Sequence, residues 1–155
     1  MEVKKIIYII THPFVRFYWK ICKPKTFGSR SLVLHQNKIL LVKNINVKYW
    51  SFPGGRINLK ESPEQCIKRE LQEEVNIFNV KIEYKLGEYF SDWEGKRDTI
   101  HIFVINLDNK NFEKQWELAA AQWFELDNLP EDISPACQRR INEYKEGKRN
   151  LKLIW

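Results

Sequence analysis

Short runs of apolar residues along the chain predict several β-strands. Two runs, residues 31–35 and 39–43, flank three polar residues, which predicts a hairpin whose second strand is nearly all apolar. Residues 80–90 alternate loosely and predict another strand, and residues 99–107 predict a more apolar one. Glu117 opens a further strand near the end of the chain.

One segment has helical spacing and marks both of its own ends. Ser62 is an N-cap residue, Pro63 suits the first helical position, and Gln65 completes a capping box. Asn76 can adopt the left-handed conformation that ends a helix. The apolar residues that recur at helical spacing are Ile67, Leu71 and Val75. We therefore predict one short amphipathic helix over residues 63–75.

A second face of this helix is acidic. Glu70, Glu73 and Glu74 fall within an arc about 100° wide beside the apolar stripe. Like charges at these spacings cost a helix a few tenths of a kcal/mol per pair, so a cation is expected in front of them. Hard divalent ions prefer oxygen ligands, and the preceding pair Gly54 and Gly55 allows a close approach of the backbone to a ligand.

The same segment resembles the Nudix box of the Nudix hydrolases. The matching positions are Gly55, Glu61, Arg69, Glu70, Leu71, Glu73, Glu74 and Ile77, and Asn76 replaces the glycine usual in the family. A late strand ending in Trp123 and Phe124, with Leu129 and Pro130 leading to a closing helix from Ser134 to about Tyr144, also resembles the family pattern. The resemblance implies an α/β/α sandwich with a mixed sheet.

The resemblance also implies a metal-dependent reaction. Glu70, Glu73, Glu74 and the Gly55 carbonyl would surround Mg²⁺ or Mn²⁺. The substrate would be a nucleoside diphosphate linked to another group, or a nucleoside triphosphate, cleaved at a phosphoanhydride. Arg69 would hold one of the carboxylates in position.

Several roles stay open at this stage. The proton acceptor is Glu74, Glu117 or Glu94, and Glu117 is alternatively an extra metal ligand or a surface carboxylate. Lys43 and Lys48 are candidate phosphate contacts on the segment that leads to the box. The candidate substrate contacts in the polar turn over residues 91–97 are Trp93 and Arg97, and an ordinary hairpin tip would have the same composition.

The N-terminal segment is basic and aromatic. Residues 1–30 carry a net charge of +6, which equals the formal charge of the whole chain. Aromatic and apolar positions predict an amphipathic helix that begins near Phe14 and ends before Pro24. We interpret residues 1–27 as an extension packing on the domain or on a second copy in a homodimer, and residues 28–155 as the Nudix domain. Contact with nucleic acid or a membrane surface is the alternative.

Length and composition limit the remaining possibilities. The 155 residues suit one domain, and 43% hydrophobic residues suit a globular protein. No segment is long enough for a membrane span, so stable membrane insertion is not expected. The three cysteines, Cys22, Cys66 and Cys137, form no metal-binding cluster, so a zinc site is not expected. Their odd number favours reduced thiols and a cytoplasmic location, with Cys66 as a small buried side chain.

Two alternative functions are compatible with the sequence. The basic N-terminal segment suits a pyrophosphohydrolase that acts on the 5′ end of RNA. A Nudix-like module that binds nucleotides without cleaving them is an alternative of another class. The intact run of Arg69, Glu70, Glu73 and Glu74 argues against that module, because pure binding does not require such crowding of charge.

Overall fold

Seven strands form one mixed sheet in the part of the chain that the structure describes. The structure is a computed structural model, and it describes residues 23–45, 47–92 and 96–155. The strands are β1 (Lys25–His35), β2 (Lys38–Asn44), β3 (Gly54–Arg56), β4 (Ile82–Ser91), β5 (Arg97–Asn106), β6 (Leu118–Glu125) and β7 (Leu151–Ile154). The helices are α1 (Pro63–Val75) and α2 (Pro135–Lys145).

The sheet order is β6-β2-β1-β5-β4-β7, with the short β3 paired to the first half of β1. β1 and β5 run parallel, as do β4 and β7, and the other pairs are antiparallel. The predicted hairpin is confirmed, with Val33 opposite Leu40 and Gln36 in the turn at φ 53°. β1 begins at Lys25, earlier than the predicted strand, because its first residues pair with β5. From Gly28 to Arg30 it pairs with β3 as well.

Helix α1 has the predicted start and end. The Ser62 hydroxyl accepts a hydrogen bond from the Gln65 backbone N–H at 3.1 Å, and the Gln65 side chain accepts one from the Ser62 N–H at 2.8 Å. Asn76 ends the helix at φ 56° and ψ 35°, in the left-handed region. Asn therefore fulfils the backbone requirement for which glycine is the usual choice.

Each face of the sheet is covered by one helix. The apolar stripe of α1 packs on one face, in a cluster that includes Val33, Leu40, Val42, Ile67, Leu71, Val75, Phe103 and Ile105. Helix α2 covers the other face, in a cluster that includes Leu32, Leu34, Phe52, Leu86, Ile102, Val104, Cys137 and Ile141. Strand alternation in β1 and β5 thus supplies both cores, and the α/β/α sandwich is confirmed.

The apolar C-terminal residues pack on the same domain. β7 adds a parallel strand to the edge of β4, and the Trp155 N–H donates to the Phe90 carbonyl at 2.8 Å. The Trp155 ring lies edge-on to Tyr89, with 6.0 Å between the ring centroids. β7 and Trp155 therefore lie against the sheet of this domain, whereas the Ile154 side chain remains 81% exposed.

Some predictions fall outside the described residues. They are the N-terminal helix with Cys22, the extension over most of residues 1–27, and the two loop residues Trp93 and Glu94. In the described ranges, neither α1 nor α2 is both long enough and apolar enough to cross a membrane.

A buried polar network joins α2 to the sheet. Arg140 is 2% exposed, and it donates from Nη2 to Glu143 Oε1 at 2.7 Å. The Tyr89 hydroxyl donates to Glu143 Oε2 at 2.8 Å, and the Arg140 guanidinium lies 4.0 Å from the Tyr89 ring centroid. Burial and the neighbouring carboxylate raise the pKa of Tyr89. In the interior, the charge of Glu143 is therefore balanced by Arg140, and both groups need these hydrogen bonds to replace those they lose to water.

Replacing Arg140 by alanine should lower the free energy of unfolding by about 3 kcal/mol, because Glu143 would remain buried without its cation. Arg139→Ala is the matched control, since Arg139 is exposed on the same helix, and it should change stability by less than about 0.5 kcal/mol. Urea denaturation of both variants measures the difference. Equal effects at the two positions would show that the network does not stabilise the fold.

Candidate active site

The acidic face of α1 lies against the glycine backbone of β3. Glu74 is 6% exposed, and its Oε2 accepts a hydrogen bond from the Gly54 N–H at 2.9 Å. Burial raises the pKa of the Glu74 carboxyl to about 7, although the Gly54 N–H and the charge of Arg30 act in the opposite direction. The neighbouring charges of Glu70 and Glu117 raise this pKa further. Near neutral pH, Glu74 is thus a carboxylate that an added cation would strongly stabilise.

Both glycines are required by close contacts. A Cβ on Gly55 would lie 2.5 Å from Glu70 Oε1, so any side chain at this position would displace the carboxylate. Gly54 has φ 133°, and a Cβ there would lie 2.2 Å from the Ser29 carbonyl oxygen. Burial also raises the pKa of Glu70. The glycine pair therefore lets two carboxylates approach the backbone of β3 directly.

Arg69 holds three carboxylates at once. Its Nε and Nη2 donate to the two oxygens of Glu61 at 2.8 and 3.0 Å. Its Nη1 donates to Glu70 Oε1 and to Glu73 Oε2, each at 2.8 Å. The hydrogen bonds from Arg69 lower the pKa of Glu61 to about 2. Arg69 thus fixes the direction of two box carboxylates and is itself fixed by a third.

Arg30 supports the site from β1. Its Nη1 donates to the carbonyl oxygens of Phe52 at 3.0 Å and of Gly54 at 3.1 Å. These bonds hold the turn that leads into the box. The sequence analysis assigned no role to Arg30 or to Glu61. In the sequence, Arg30 is distinguished only as a cation directly before the apolar run of β1, and Glu61 only by its fixed position in the motif.

Cys66 lies behind these groups as a buried thiol. Its side chain is fully buried, and its Sγ lies 3.4 Å from the Arg56 carbonyl oxygen. Burial, together with the charges of Glu61 and Glu70, raises the pKa of Cys66 to about 12. The thiol is therefore protonated at neutral pH, which agrees with the expected role as a packing residue.

The donor chemistry of this cluster fits a divalent cation. Carboxylate and backbone carbonyl oxygens are hard ligands, and two of the carboxyls have pKa values raised by burial. Within the described ranges, no three His, Cys, Asp or Glu side chains already converge on one metal position. Glu70 and Glu73 are both directed at Arg69, whereas Glu74 is directed at Gly54. The three carboxylates thus lie on one helix face, but Glu70 and Glu73 bind Arg69 and Glu74 binds the Gly54 N–H.

Two further predicted site residues, Glu117 and Lys43, differ in their surroundings. Glu117 is exposed just before β6, and its charge acts on Glu74. Lys43 forms an ion pair with Asp132 at 2.6 Å, and its Nζ lies 5.7 Å from the Trp50 ring centroid. The structure therefore places Glu117 near the carboxylates, whereas Lys43 already has a carboxylate partner.

Lys48 and Arg97 lie on the connecting segments. The Lys48 Nζ lies 5.8 Å from the Tyr49 ring centroid. Arg97 is exposed at the start of β5, and its Nε donates to the Lys23 carbonyl at 3.4 Å. Within the described ranges, neither side chain forms a hydrogen bond or an ion pair with a box carboxylate.

Two adjoining cavities open beside the box on the face of the sheet that carries α2. The larger, of about 510 Å³, reaches Gly55 and the start of β1. The smaller, of about 360 Å³, reaches Tyr49 and Trp155. Of the residues that the structure describes, four line both cavities, namely Arg30, Lys96, Asp98 and Ile100. The cavities therefore form one continuous groove that passes Gly55.

Comparison with known proteins agrees with the fold and the motif. Residues 25–144 match the sequence profile of the NUDIX domain. A Bacillus subtilis (strain 168) protein that carries the provisional name 8-oxo-dGTP diphosphatase is 31% identical over 130 residues, which cover 83% of this chain and 85% of that protein. An ADP-ribose pyrophosphatase of Methanocaldococcus jannaschii is 29% identical over 149 residues, covering 86% and 87% of the two chains.

A solved structure shows the same architecture. The crystal structure of a Nudix hydrolase from Nitrosomonas europaea aligns with a TM-score of 0.73 at 21% identity, over 85% of this chain and 79% of that one. The capped acidic helix, the glycine pair and these similarities agree with one another. The chain therefore belongs to the Nudix hydrolase family, and the activity that goes with this membership is cleavage of a pyrophosphate bond.

Proposed function

We propose that this protein hydrolyses nucleoside diphosphate derivatives or nucleoside triphosphates with Mg²⁺ or Mn²⁺ held by Glu70, Glu73, Glu74 and the Gly55 carbonyl. The main observation in favour is the contact between buried carboxylates and the glycine backbone. Arg69 is shared between Glu70 and Glu73, and nearly buried Glu74 has, among the described residues, only a backbone N–H as its hydrogen-bond partner, so this helix face favours the binding of a further cation. The hard oxygen donors select a divalent ion of this type.

The chemistry requires compensation of negative charge. Phosphoanhydride oxygens repel an attacking hydroxide, and the leaving phosphate gains further charge as the bond breaks. A divalent ion held by Glu70, Glu73, Glu74 and the Gly55 carbonyl would neutralise this charge and acidify a water molecule. Arg69 holds Glu70 and Glu73 next to each other through its Nη1, and Arg30 holds the Gly54 carbonyl and with it the turn. Both arginines therefore act as positioning residues.

The proton of the attacking water goes to a carboxylate. Glu74 has a pKa of about 7 in the metal-free protein, and Glu117 lies close enough for its charge to act on Glu74. Glu94 is the third candidate from the sequence. Comparison of pH profiles for Glu74→Gln and Glu117→Gln assigns the role, because loss of the base removes the acidic limb of the profile.

The names of the relatives indicate a nucleotide substrate. One relative is named for 8-oxo-dGTP and the other for ADP-ribose, so the shared chemistry is a nucleoside attached to a pyrophosphate. The described thiols, Cys66 and Cys137, are free and buried, which suits the reducing cytoplasm that we propose as the location. We also propose that the basic aromatic N-terminal segment packs on the domain or on a second copy in a homodimer.

A second candidate substrate is the triphosphorylated 5′ end of RNA. The observation that favours it is the net charge of +6 in residues 1–30.

Glu73→Gln and Glu74→Gln should each reduce turnover roughly a hundredfold or more, because each removes a charged ligand of the ion. Glu64→Gln is the matched control, since Glu64 is an exposed carboxylate in the first turn of the same helix, and it should retain activity. Turnover is measured on a nucleotide panel with Mg²⁺ or Mn²⁺. Activity at the wild-type level in the Glu73→Gln/Glu74→Gln double variant would refute the metal site.

Glu74→Gln should stabilise the metal-free protein at pH 8 and have little effect at pH 5. The Glu74 pKa is raised on folding, so the folded state holds a proton that the unfolded state releases, and stability declines as pH rises from about 4.5 to about 7. The gain at pH 8 is at most about 3 kcal/mol. Glu73→Gln is the control, since the Glu73 side chain is 55% exposed, and it should change stability by less than about 1 kcal/mol.

Urea denaturation in a chelator at both pH values measures these changes. A Glu74→Gln variant that is less stable than the wild type at pH 8 would show that the buried carboxylate is already compensated.

If RNA is the substrate, cleavage of triphosphorylated RNA should fall steeply as salt rises, because the basic N-terminal segment would contact several backbone phosphates. Mononucleotides should then be poor substrates. Removal of 5′ pyrophosphate from a short transcript, measured between about 50 and 200 mM salt, tests this. Turnover of mononucleotides that exceeds turnover of RNA at every salt concentration would exclude the RNA function.

A further inference from the structure

The two ends of the groove have different chemistry. Among the described residues, the larger cavity is lined by four cations, Lys25, Arg30, Arg56 and Lys96, and by one carboxylate, Asp98. Lys96 lies 3.4 Å from Asp98, so these two charges largely compensate each other. The larger cavity therefore retains an excess of positive charge next to Gly55.

Two of these cations are available to a ligand. Lys25 and Arg56 have exposed side chains, and neither forms an ion pair with any carboxylate in the described ranges. Both line the larger cavity, Lys25 at the start of β1 and Arg56 at the end of β3. An arginine fork and a lysine ammonium that line one cavity are a suitable pair for a phosphate group.

Gly28 joins this cavity to the box. A Cβ on Gly28 would be in van der Waals contact, at 3.4 Å, with the Gly55 carbonyl oxygen, which is the backbone atom proposed as a metal ligand. Both Gly28 and Gly55 line the cationic cavity. A phosphate chain that passes the Gly55 backbone therefore has a path toward Lys25 and Arg56.

The smaller cavity has the lining expected for a nucleoside. It contains Tyr49 and Trp155 together with the neutral polar residues Asn44, Ser51 and Ser91. Trp155 is held in place by its backbone hydrogen bond to Phe90 and by the edge-on contact with Tyr89. A fixed aromatic ring suits stacking with a base, and neutral polar groups suit hydrogen bonds to a sugar.

We propose that the groove selects substrates that carry an additional phosphate beyond the cleaved pyrophosphate, bound by Lys25 and Arg56, over substrates that end in a neutral sugar. This inference rests on the proposed function and narrows its substrate class to nucleoside polyphosphates. The nucleoside lies at Tyr49 and Trp155, the cleaved bond passes Gly55 and Arg30, and the distal phosphate lies in the larger cavity. A neutral distal group would leave the two exposed cations without a partner.

Adenosine 5′-tetraphosphate and ADP-ribose provide a matched pair of substrates, because they share the nucleoside and differ in the distal group. The wild-type protein should have at least tenfold higher kcat/KM for the tetraphosphate. Lys25→Gln and Arg56→Gln should each lower that value roughly tenfold, mainly through KM, since each removes one charge-assisted hydrogen bond. The kcat/KM for ADP-ribose should stay within about twofold.

Lys110→Gln is the control, because Lys110 is an exposed lysine beyond the opposite end of β5, and it should leave both substrates unaffected. Arg56→Lys should recover part of the loss, since it restores a charge without the fork. A wild-type preference for ADP-ribose, or variants that lower both substrates equally or neither, would overturn the inference while the proposed function stands.

Hydrolysis of neither compound by the wild type would instead count against the proposed function. Binding then decides the inference separately, by calorimetric titration of the metal-free protein with inorganic tripolyphosphate. Binding that is at least tenfold weaker in the Lys25→Gln/Arg56→Gln double variant supports the cationic subsite. No binding to the wild type, or equal binding to both proteins, overturns it.

Discussion

The contact between the acidic face of α1 and the backbone of Gly54 and Gly55 is the constraint on which the rest of the site depends. It brings Glu74 into a nearly buried position and Glu70 so close to Gly55 that a side chain there would displace the Glu70 carboxylate. Burying carboxylates opposes folding, so the helix must be held there by other interactions. The apolar stripe of α1, the two helix caps and the Arg69 fork provide them. Stability is thus given up locally to hold acidic oxygens beside an open groove.

Sequence reasoning succeeded where the determinants are local. The capping box at Ser62 and the left-handed Asn76 define α1 within one stretch of chain, and the structure has the helix between these residues. The hairpin of β1 and β2 and the acidic stripe of α1 could likewise be predicted from the spacing of apolar and acidic residues alone. The α/β/α sandwich was predicted from the family resemblance, because the motif on this helix is associated with one fold.

Other features could not be read from the sequence because they depend on distant partners. β1 begins at Lys25 because it pairs in parallel with β5, about 70 residues later in the chain. Arg30 gains its role from carbonyls of a turn more than 20 residues away. Arg140 is charged and yet buried, which periodicity cannot predict without knowledge of Glu143 and Tyr89 in space. Long-range pairing thus determines which cations are structural and which face the groove.

The central claim is that the crowded carboxylates of α1 serve to bind a divalent ion. The most direct test is a crystal of the full chain soaked with Mn²⁺ and measured at a wavelength that gives an anomalous signal from manganese. The account predicts an anomalous peak within about 2.5 Å of oxygens from Glu70, Glu73 and Glu74, with the Gly55 carbonyl beside it. It is contradicted if Glu70 and Glu73 remain on Arg69, Glu74 remains on the Gly54 N–H, and no peak lies among them.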